Sequence, residues 1–335
     1  MRAVKILERV LQAIPIMFGV AIIVFVFVRL TPGDPVDIMI GDQNISAEQE
    51  ARMRVELGLD RPPVERFFVF LGNAVRGEFG LSFFHRRPVI DVIAERLPAT
   101  IELAVVALII ALATAIPLGV LAAVRKNSWI DKAATVGSLL GVSLPGFWFA
   151  ILLIMLFAVH LHLLPVSGRI GFESEVTPIT GFLLVDTLLN GRPAAFADAL
   201  AHIIMPAITL GLPMAAILMR VTRASMLEVL RSDYVTFAEA KGLKRSRVLY
   251  RHALKNALIP TVTVAALEMG SLLGGSMIVE TVFGWPGLGR LVVESIFQRN
   301  YPLIQAAVLL YAVTYVLLNF AADLLYTQLN PRVRL

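Results

Sequence analysis

Few residues in this chain have the types and spacing that catalysis or metal binding requires. Ser143 lies in a long apolar run, and His160, His162 and His202 lie elsewhere. A serine without a placed base is not a catalytic triad, and a His-x-His pair at the end of an apolar run is more typical of a membrane interface than of zinc. We therefore predict no catalytic residue and no metal site, with an intramembrane protease built on Ser143 as an open alternative.

Motifs that would bind a nucleotide are also missing from the sequence. The phosphate-binding loop G-x-x-x-x-G-K-[ST] does not occur, and the glycines of residues 284–289 lie between two apolar runs rather than between a strand and a helix. The absence of cysteine excludes disulfides and thiolate zinc sites. We expect this chain to bind no cofactor, so another chain must hydrolyse any ATP that drives its work.

One carboxylate lies in the middle of an apolar run. Glu268 is the only ionisable residue of the run 257–279, and a charge at that depth costs about 2.5 to 3.5 kcal/mol on insertion scales. Gly270 and Gly274 would let this helix pack closely, so we predict that Glu268, Gly270 and Gly274 belong to a translocation pathway. A proton relay and a protonated structural group remain alternatives. Three further carboxyls lie near run ends, where solvation at the interface is expected: Glu102, Glu280 and Asp323.

The composition is that of an integral membrane protein. The 335 residues are 57% hydrophobic and 16% charged, with a mean hydropathy of +0.77. Six apolar runs are long enough to cross a bilayer, which needs about 20 helical residues. The predicted fold is all-α, with six transmembrane helices in a single domain, 1–335. The spans are predicted at about 8–30, 99–124, 133–159, 199–221, 257–280 and 302–325.

The distribution of cations predicts the orientation. Lys and Arg cluster before the first run, between the second and third, between the fourth and fifth, and after the sixth. By the positive-inside rule this face, with both termini, is cytoplasmic. The same rule accounts for the net charge of +5, so we predict membrane lipid and not nucleic acid as the partner of these cations.

The long segment 31–98 between the first two spans is predicted to be external and partly helical. Ser46-Ala47-Glu48-Gln49 has the capping-box pattern that opens a helix, and a second helix follows Pro62-Pro63. The two helices either lie on the membrane surface or form a platform for a docking protein. The candidates for external docking are aromatic: Phe67, Phe68 and, in a later external turn, Trp285.

The loop 222–258 carries an apolar stripe, a glycine and a row of cations. The stripe recurs at three- and four-residue steps and predicts one helix leading to Ala238: Met226, Leu227, Leu230, Tyr234 and Phe237. Gly242 predicts a bend, and Arg247 and Arg251 then share one face of a second short helix. Such a hinged loop, held by a span at each end, can transmit force, or it can bind lipid headgroups through its cations.

Ordered motifs along the chain resemble those of a known family. Glu239-Ala240-x-Gly242, followed by Asn-Ala-Leu-Ile-Pro at 256–260, resembles the EAA loop of binding-protein-dependent ABC importer permeases, although the loop begins Ala238-Glu239-Ala240 rather than Glu-Ala-Ala. More closely, five motifs resemble the DppB-type permeases of dipeptide and oligopeptide importers: TPGDP at 31–35, ELGLD at 56–60, LPVSG at 164–168, FGWPGLGR at 283–290 and DLLY at 323–326.

The resemblance implies the type I ABC importer permease fold, in the bacterial cytoplasmic (inner) membrane. It implies four kinds of partner: a DppC-type second permease, two ABC ATPases that carry the ATP and Mg, an external substrate-binding protein, and a peptide substrate. It also implies a set of ATPase contacts: Tyr234, Phe237, Ala238, Glu239, Ala240, Gly242, Arg247 and Arg251. The alternative is an ion-coupled transporter or channel that uses Glu268.

Overall fold

The computed structural model describes residues 2–30, 36, 46–56, 60–273 and 276–329, which form helices joined by turns, with one β-bridge between Leu81 and Pro88. The helices before the central part of the chain are α1 (Arg2–Leu30), α2 (Ala47–Glu56), α3 (Pro63–Arg76) and α4 (Val89–Val124). The next are α5 (Trp129–Ser143), α6 (Gly146–His160), α7 (Leu183–Leu189) and α8 (Pro193–Val229). The last are α9 (Asp233–Ala240), α10 (Arg245–Leu273), α11 (Met277–Val282), α12 (Leu288–Phe297) and α13 (Tyr301–Leu329).

The core of the fold is the pair of long helices α4 and α8, which pack along each other. Small residues bring the two backbones together, as is common between membrane helices. A Cβ on Gly211 of α8 would lie 2.8 Å from Ala107 O of α4, and a Cβ on Gly119 of α4 would lie 2.8 Å from Thr222 Cβ of α8. The close approach makes α8 the most buried of the apolar helices described.

Four described helices are long and apolar enough to cross a membrane: α4, α8, α10 and α13. The pair α5 and α6 also qualifies as one bent span, and α1 contributes the shorter apolar stretch Leu11–Phe27. The all-helical membrane fold is therefore confirmed, whereas the count of six spans and the cytoplasmic placement of the termini stay predictions.

Two predicted spans are interrupted. The run 133–159 is not one helix, because α5 and α6 meet at an angle of 102°. Leu144, at the junction, is extended (φ −76°, ψ 126°), the conformation that a residue preceding proline prefers. The run 257–280 is not one helix either, because Ser276 is non-helical (φ −82°, ψ 77°) and Glu280 lies in the separate helix α11 that follows it.

The two helices predicted in the segment 31–98 form, whereas the external placement of that segment stays a prediction. Ser46 and Gln49 make the reciprocal bonds of a capping box, with Gln49 N donating to Ser46 Oγ at 3.3 Å and Ser46 N donating to Gln49 Oε1 at 3.1 Å. Helix α3 packs on α1 through Phe67, whose ring centroid lies 5.6 Å from that of Phe18 and 5.2 Å from that of Phe25. Helix α3 is thereby attached to the first long helix.

Candidate functional site

The turn at Gly242 joins α9 to the long helix α10. Gly242 has φ +74°, a conformation that costs any residue with a side chain, and its N–H donates to Glu239 O at 2.9 Å. The predicted bend at Gly242 is therefore confirmed. The second helix is not short, however, because α10 runs on without a break from Arg245 to Leu273.

The inner face of α9 holds it against the rest of the protein. Val235 and Ala238 are buried in one apolar cluster with Met226 at the end of α8 and Val248 at the start of α10. The predicted single helix from Met226 to Phe237 is wrong, because α8 ends at Val229 and the chain turns before α9. The turn leaves Met226 of the predicted stripe in the buried cluster and places Tyr234 and Phe237 on the exposed face of α9. Ala238, predicted as an ATPase contact, is 8% exposed and positions the helix instead.

The outer face of α9 is open to a partner. Phe237 is 61% exposed, Tyr234 and Glu239 are exposed beside it, and Ala240 follows at the end of the helix. Lys241 Nζ lies 4.5 Å from the centroid of the Phe237 ring, which is within the range of a cation–π contact. The two predicted cations, Arg247 and Arg251, are also exposed, one just before and one inside the π-helical turn Val248–Ala253 of α10.

Two long-range contacts fix the surroundings of α9. Asn256 Nδ2 of α10 donates to Tyr234 OH at 2.8 Å. Near the end of α8, Arg223 Nη2 donates to Asp131 Oδ2 of α5 at 2.8 Å, and Asn127 N donates to the same oxygen at 2.9 Å. Asp131 is buried. The sequence gives no signal for this ion pair, because its partners are 92 residues apart.

A cavity of about 310 Å³ lies between the start of α6, the middle of α8, and the residues on both sides of the break between α10 and α11. Its polar lining side chains are Glu268, Thr209 and Ser276, and the remaining lining is largely apolar. Of the predicted pathway residues, Glu268 therefore lines a cavity. Gly270 does not, since it packs toward Tyr315 and Leu318 of α13. Gly274 lies outside the described residues.

The external docking candidates divide into exposed and buried aromatics. Phe68 is 59% exposed, whereas Phe67 faces α1 and is half-buried. Trp285 is 1% exposed, and its Nε1 donates to Ala99 O of α4 at 2.9 Å. The prediction that Trp285 contacts a docking protein is therefore wrong, because a buried indole whose N–H is already bonded can only position its own turn.

Glu280 is a fully buried carboxylate that caps α12. It accepts hydrogen bonds from Thr100 Oγ1 of α4 and from Arg290 N, both at 3.0 Å. Thr100 Oγ1 in turn accepts from Leu288 N at 2.8 Å. The first backbone N–H groups of a helix lack partners within the helix and favour a negative charge. The expectation that Glu280 is solvated at the interface is wrong, because its partners lie inside the protein.

The glycines of the motif 283–290 make room for this cap. A Cβ on Gly287 would lie 2.5 Å from both Glu280 Oε2 and Thr100 Oγ1, and a Cβ on Gly289 would lie 2.8 Å from Met277 N. The motif at 164–168 meets the same turn, because Gly168 N donates to Phe283 O at 3.0 Å. The two motifs, far apart in sequence, therefore form one joint on the face predicted to be external, which we call the external joint.

Glu102 and Asp186 order the connection between α6 and α8. Glu102 is buried, although the sequence suggested interfacial solvation, and accepts from Arg169 Nη2 at 2.6 Å and from Leu184 N at 2.7 Å. Burial would raise the pKa of the Asp186 carboxyl, but bonds from the Thr180 hydroxyl and from backbone N–H groups hold that pKa below its ordinary value.

Two family models match the chain. The family described as binding-protein-dependent transport system inner membrane component matches residues 115–335. Its N-terminal counterpart, described as binding-protein-dependent transport system membrane component, N-terminal, matches residues 3–104. Together the two models account for most of the chain, including α9, the turn at Gly242 and the external joint.

Curated relatives match over nearly the whole chain. The dipeptide transport system permease protein DppB of Escherichia coli K12 is 46% identical over 98% of both chains. The di/tripeptide transport system permease protein DppB of Pseudomonas aeruginosa UCBPP-PA14 is 43% identical over 96% of both. The glutathione transport system permease protein GsiC of E. coli K12 is 40% identical over 98% of both.

A solved structure has the same fold. The inward-facing MetNI methionine ABC transporter matches with a TM-score of 0.50 and 17% identity, over 72% of this chain and 97% of the matched chain. At that identity the likeness shows the fold alone.

Proposed function

The chain belongs to the family of binding-protein-dependent transport system inner membrane components, and we propose from this that it forms half of a pathway for dipeptides and oligopeptides. It is a permease subunit of an ABC importer in the inner membrane, without a catalytic site of its own. Such a permease works with ATPase and substrate-binding partners. The second half of the pathway would be a DppC-type permease, and two ATPase subunits would bind the ATP and Mg.

The observation that carries the proposal is the position of α9 between two helices that line the cavity. Its outer face presents Phe237, Tyr234 and Glu239, while its inner face is fixed to the ends of α8 and α10. Thr209 of α8 and Glu268 of α10 line the cavity. An ATPase that binds and displaces α9 would therefore move two walls of the cavity, α8 and α10.

The proposed mechanism is alternating access driven by the ATPases. ATP would bring the two ATPase subunits together, displace α9, and shift the permease between states that open to opposite sides of the membrane. A partner can drive such a shift only through contacts that differ between the states. The exposed side chains of α9 are the proposed contacts, together with Ala240, Arg247 and Arg251.

The choice of peptide as substrate rests on the relatives, whose names specify dipeptide, di/tripeptide and glutathione transport. These cargoes share a free ammonium group, a carboxylate and at least one amide. We propose that cargo class for this chain, delivered by an external binding protein.

Reconstitution tests the function. We expect proteoliposomes containing both permeases and both ATPases to take up a labelled dipeptide only when ATP is inside and loaded binding protein is outside. Uptake that follows an ion gradient without ATP would instead favour the ion-coupled alternative centred on Glu268.

We expect Phe237→Ala to reduce ATP-driven uptake at least about tenfold, because an exposed aromatic side chain at the centre of a contact can contribute 2 kcal/mol or more. The measurement is uptake together with co-purification of the ATPases. Phe172→Ala is the matched control, since Phe172 is exposed on the connection between α6 and α8. An equal loss of uptake in the two variants, or no loss of uptake in Phe237→Ala, would contradict the proposed contact between Phe237 and the ATPase.

A further inference from the structure

The cavity contains a single ionisable side chain, the carboxylate of Glu268. Among the residues that the structure describes, none forms an ion pair or a side-chain hydrogen bond with it. Of the nearby hydroxyls, Thr209 Oγ1 already donates to Met205 O at 2.9 Å. A carboxylate at membrane depth costs free energy when it has no partner. A positively charged group of the cargo would lower that cost if it entered the cavity beside Glu268.

The backbone around the cavity is interrupted on two sides. Helix α6 begins at Gly146, after the extended residues Leu144 and Pro145, and both Gly146 and Phe147 line the cavity. On the other side the lining residue Ser276, directly before α11, has a non-helical backbone (φ −82°, ψ 77°). Broken helices at membrane depth occur where the backbone is buried or lines a cavity. Both interruptions of the backbone therefore lie at or beside the cavity wall.

We propose that Glu268 is a cation-binding subsite of the translocation pathway, which pairs with the ammonium group of a passing peptide. The proposal rests on the peptide-import function above and adds a selectivity that this chain itself imposes. An ammonium group loses its hydration when it enters a largely apolar cavity, and a carboxylate offsets part of that cost. The same charge disfavours cargo with an extra carboxylate.

Two peptides of opposite charge test the subsite in the complete reconstituted importer. Ala-Lys and Ala-Glu are each supplied at a concentration that saturates the binding protein, so that selection at the binding protein does not set the rates. We expect the wild-type complex to import Ala-Lys roughly two- to fivefold faster than Ala-Glu, the effect of one partly solvated ion pair.

Variants assign the preference to Glu268. In Glu268→Gln the ratio of the two rates should fall to about one, whereas Glu268→Asp should keep it. Glu173→Gln, which neutralises an exposed carboxylate outside the cavity, is the matched control and should leave the ratio unchanged. A structural role for Glu268 would instead lower both rates by the same factor.

The outcomes separate this proposal from the proposed function. Import of neither peptide by the wild-type complex would refute the peptide function. Import of both at equal rates by wild type would overturn the subsite alone, even if Glu268→Gln fails to assemble. An unchanged ratio in Glu268→Gln would overturn it as well.

Discussion

Gly287→Ala is expected to abolish assembly of the importer. The backbone at Gly287 (φ −99°, ψ −175°) is open to any residue, so the whole effect is steric. The new Cβ would lie 2.5 Å from Glu280 Oε2 and from Thr100 Oγ1. Both oxygens belong to the cap of α12, so relief of the overlap breaks hydrogen bonds of a buried carboxylate. We expect a loss of about 3 kcal/mol or more.

The measurement is the amount of folded permease that co-purifies with its partners, together with the thermal denaturation midpoint of the detergent-solubilised chain. Gly72→Ala is the matched control, because a Cβ on Gly72 in α3 would meet no atom within 4 Å. A Gly287→Ala protein as abundant and as stable as the control would show that the external joint tolerates a side chain.

Gly242→Pro is expected to abolish ATP-driven uptake while the protein stays in the membrane. Proline fixes φ near −65° and has no N–H, whereas Gly242 has φ +74° and donates to Glu239 O. The turn must therefore open, which displaces α9 relative to α10. Glu239→Arg should also abolish uptake, by reversing an exposed charge without moving the backbone.

A milder substitution at the same position distinguishes an effect of the turn on uptake from a general loss of stability. Gly242→Ala meets no atom within 4 Å but must still adopt a positive φ, at a cost of about 1 kcal/mol, so uptake should be reduced but not lost. Membrane abundance by immunoblot, ATPase co-purification and uptake are measured for all three variants. Normal uptake in Gly242→Pro or Glu239→Arg would refute the coupling role of α9.

The length of the apolar runs predicted most long helices correctly, but it did not predict where they break. Pro145 lies at the junction where α5 and α6 meet at 102°, whereas Pro98 and Pro117 both lie inside α4. The same residue type ends one helix and is tolerated in another. Local sequence cannot distinguish these outcomes, because neighbouring helices decide whether a freed backbone group finds a new partner.

The candidate site was predictable where it depends on local chemistry, as at Gly242, whose positive φ favours glycine. Contacts between residues that lie far apart in the sequence were not predictable. Glu280 and Thr100 are 180 residues apart, and Glu102 and Leu184 are 82 apart. A carboxyl near the end of an apolar run has the same local sequence whether it caps a helix inside the protein or is solvated by water.

The continuous helix α10 has a mechanical consequence. From Arg245, next to the turn beside α9, to Glu268 in the cavity wall, the helix rises about 35 Å at 1.5 Å per residue. Two places along it can bend, the π-helical turn Val248–Ala253 and Pro260. A displacement of α9 would therefore reach the cavity wall through this one helix, and the part of it that arrives depends on how far the helix bends at these two places.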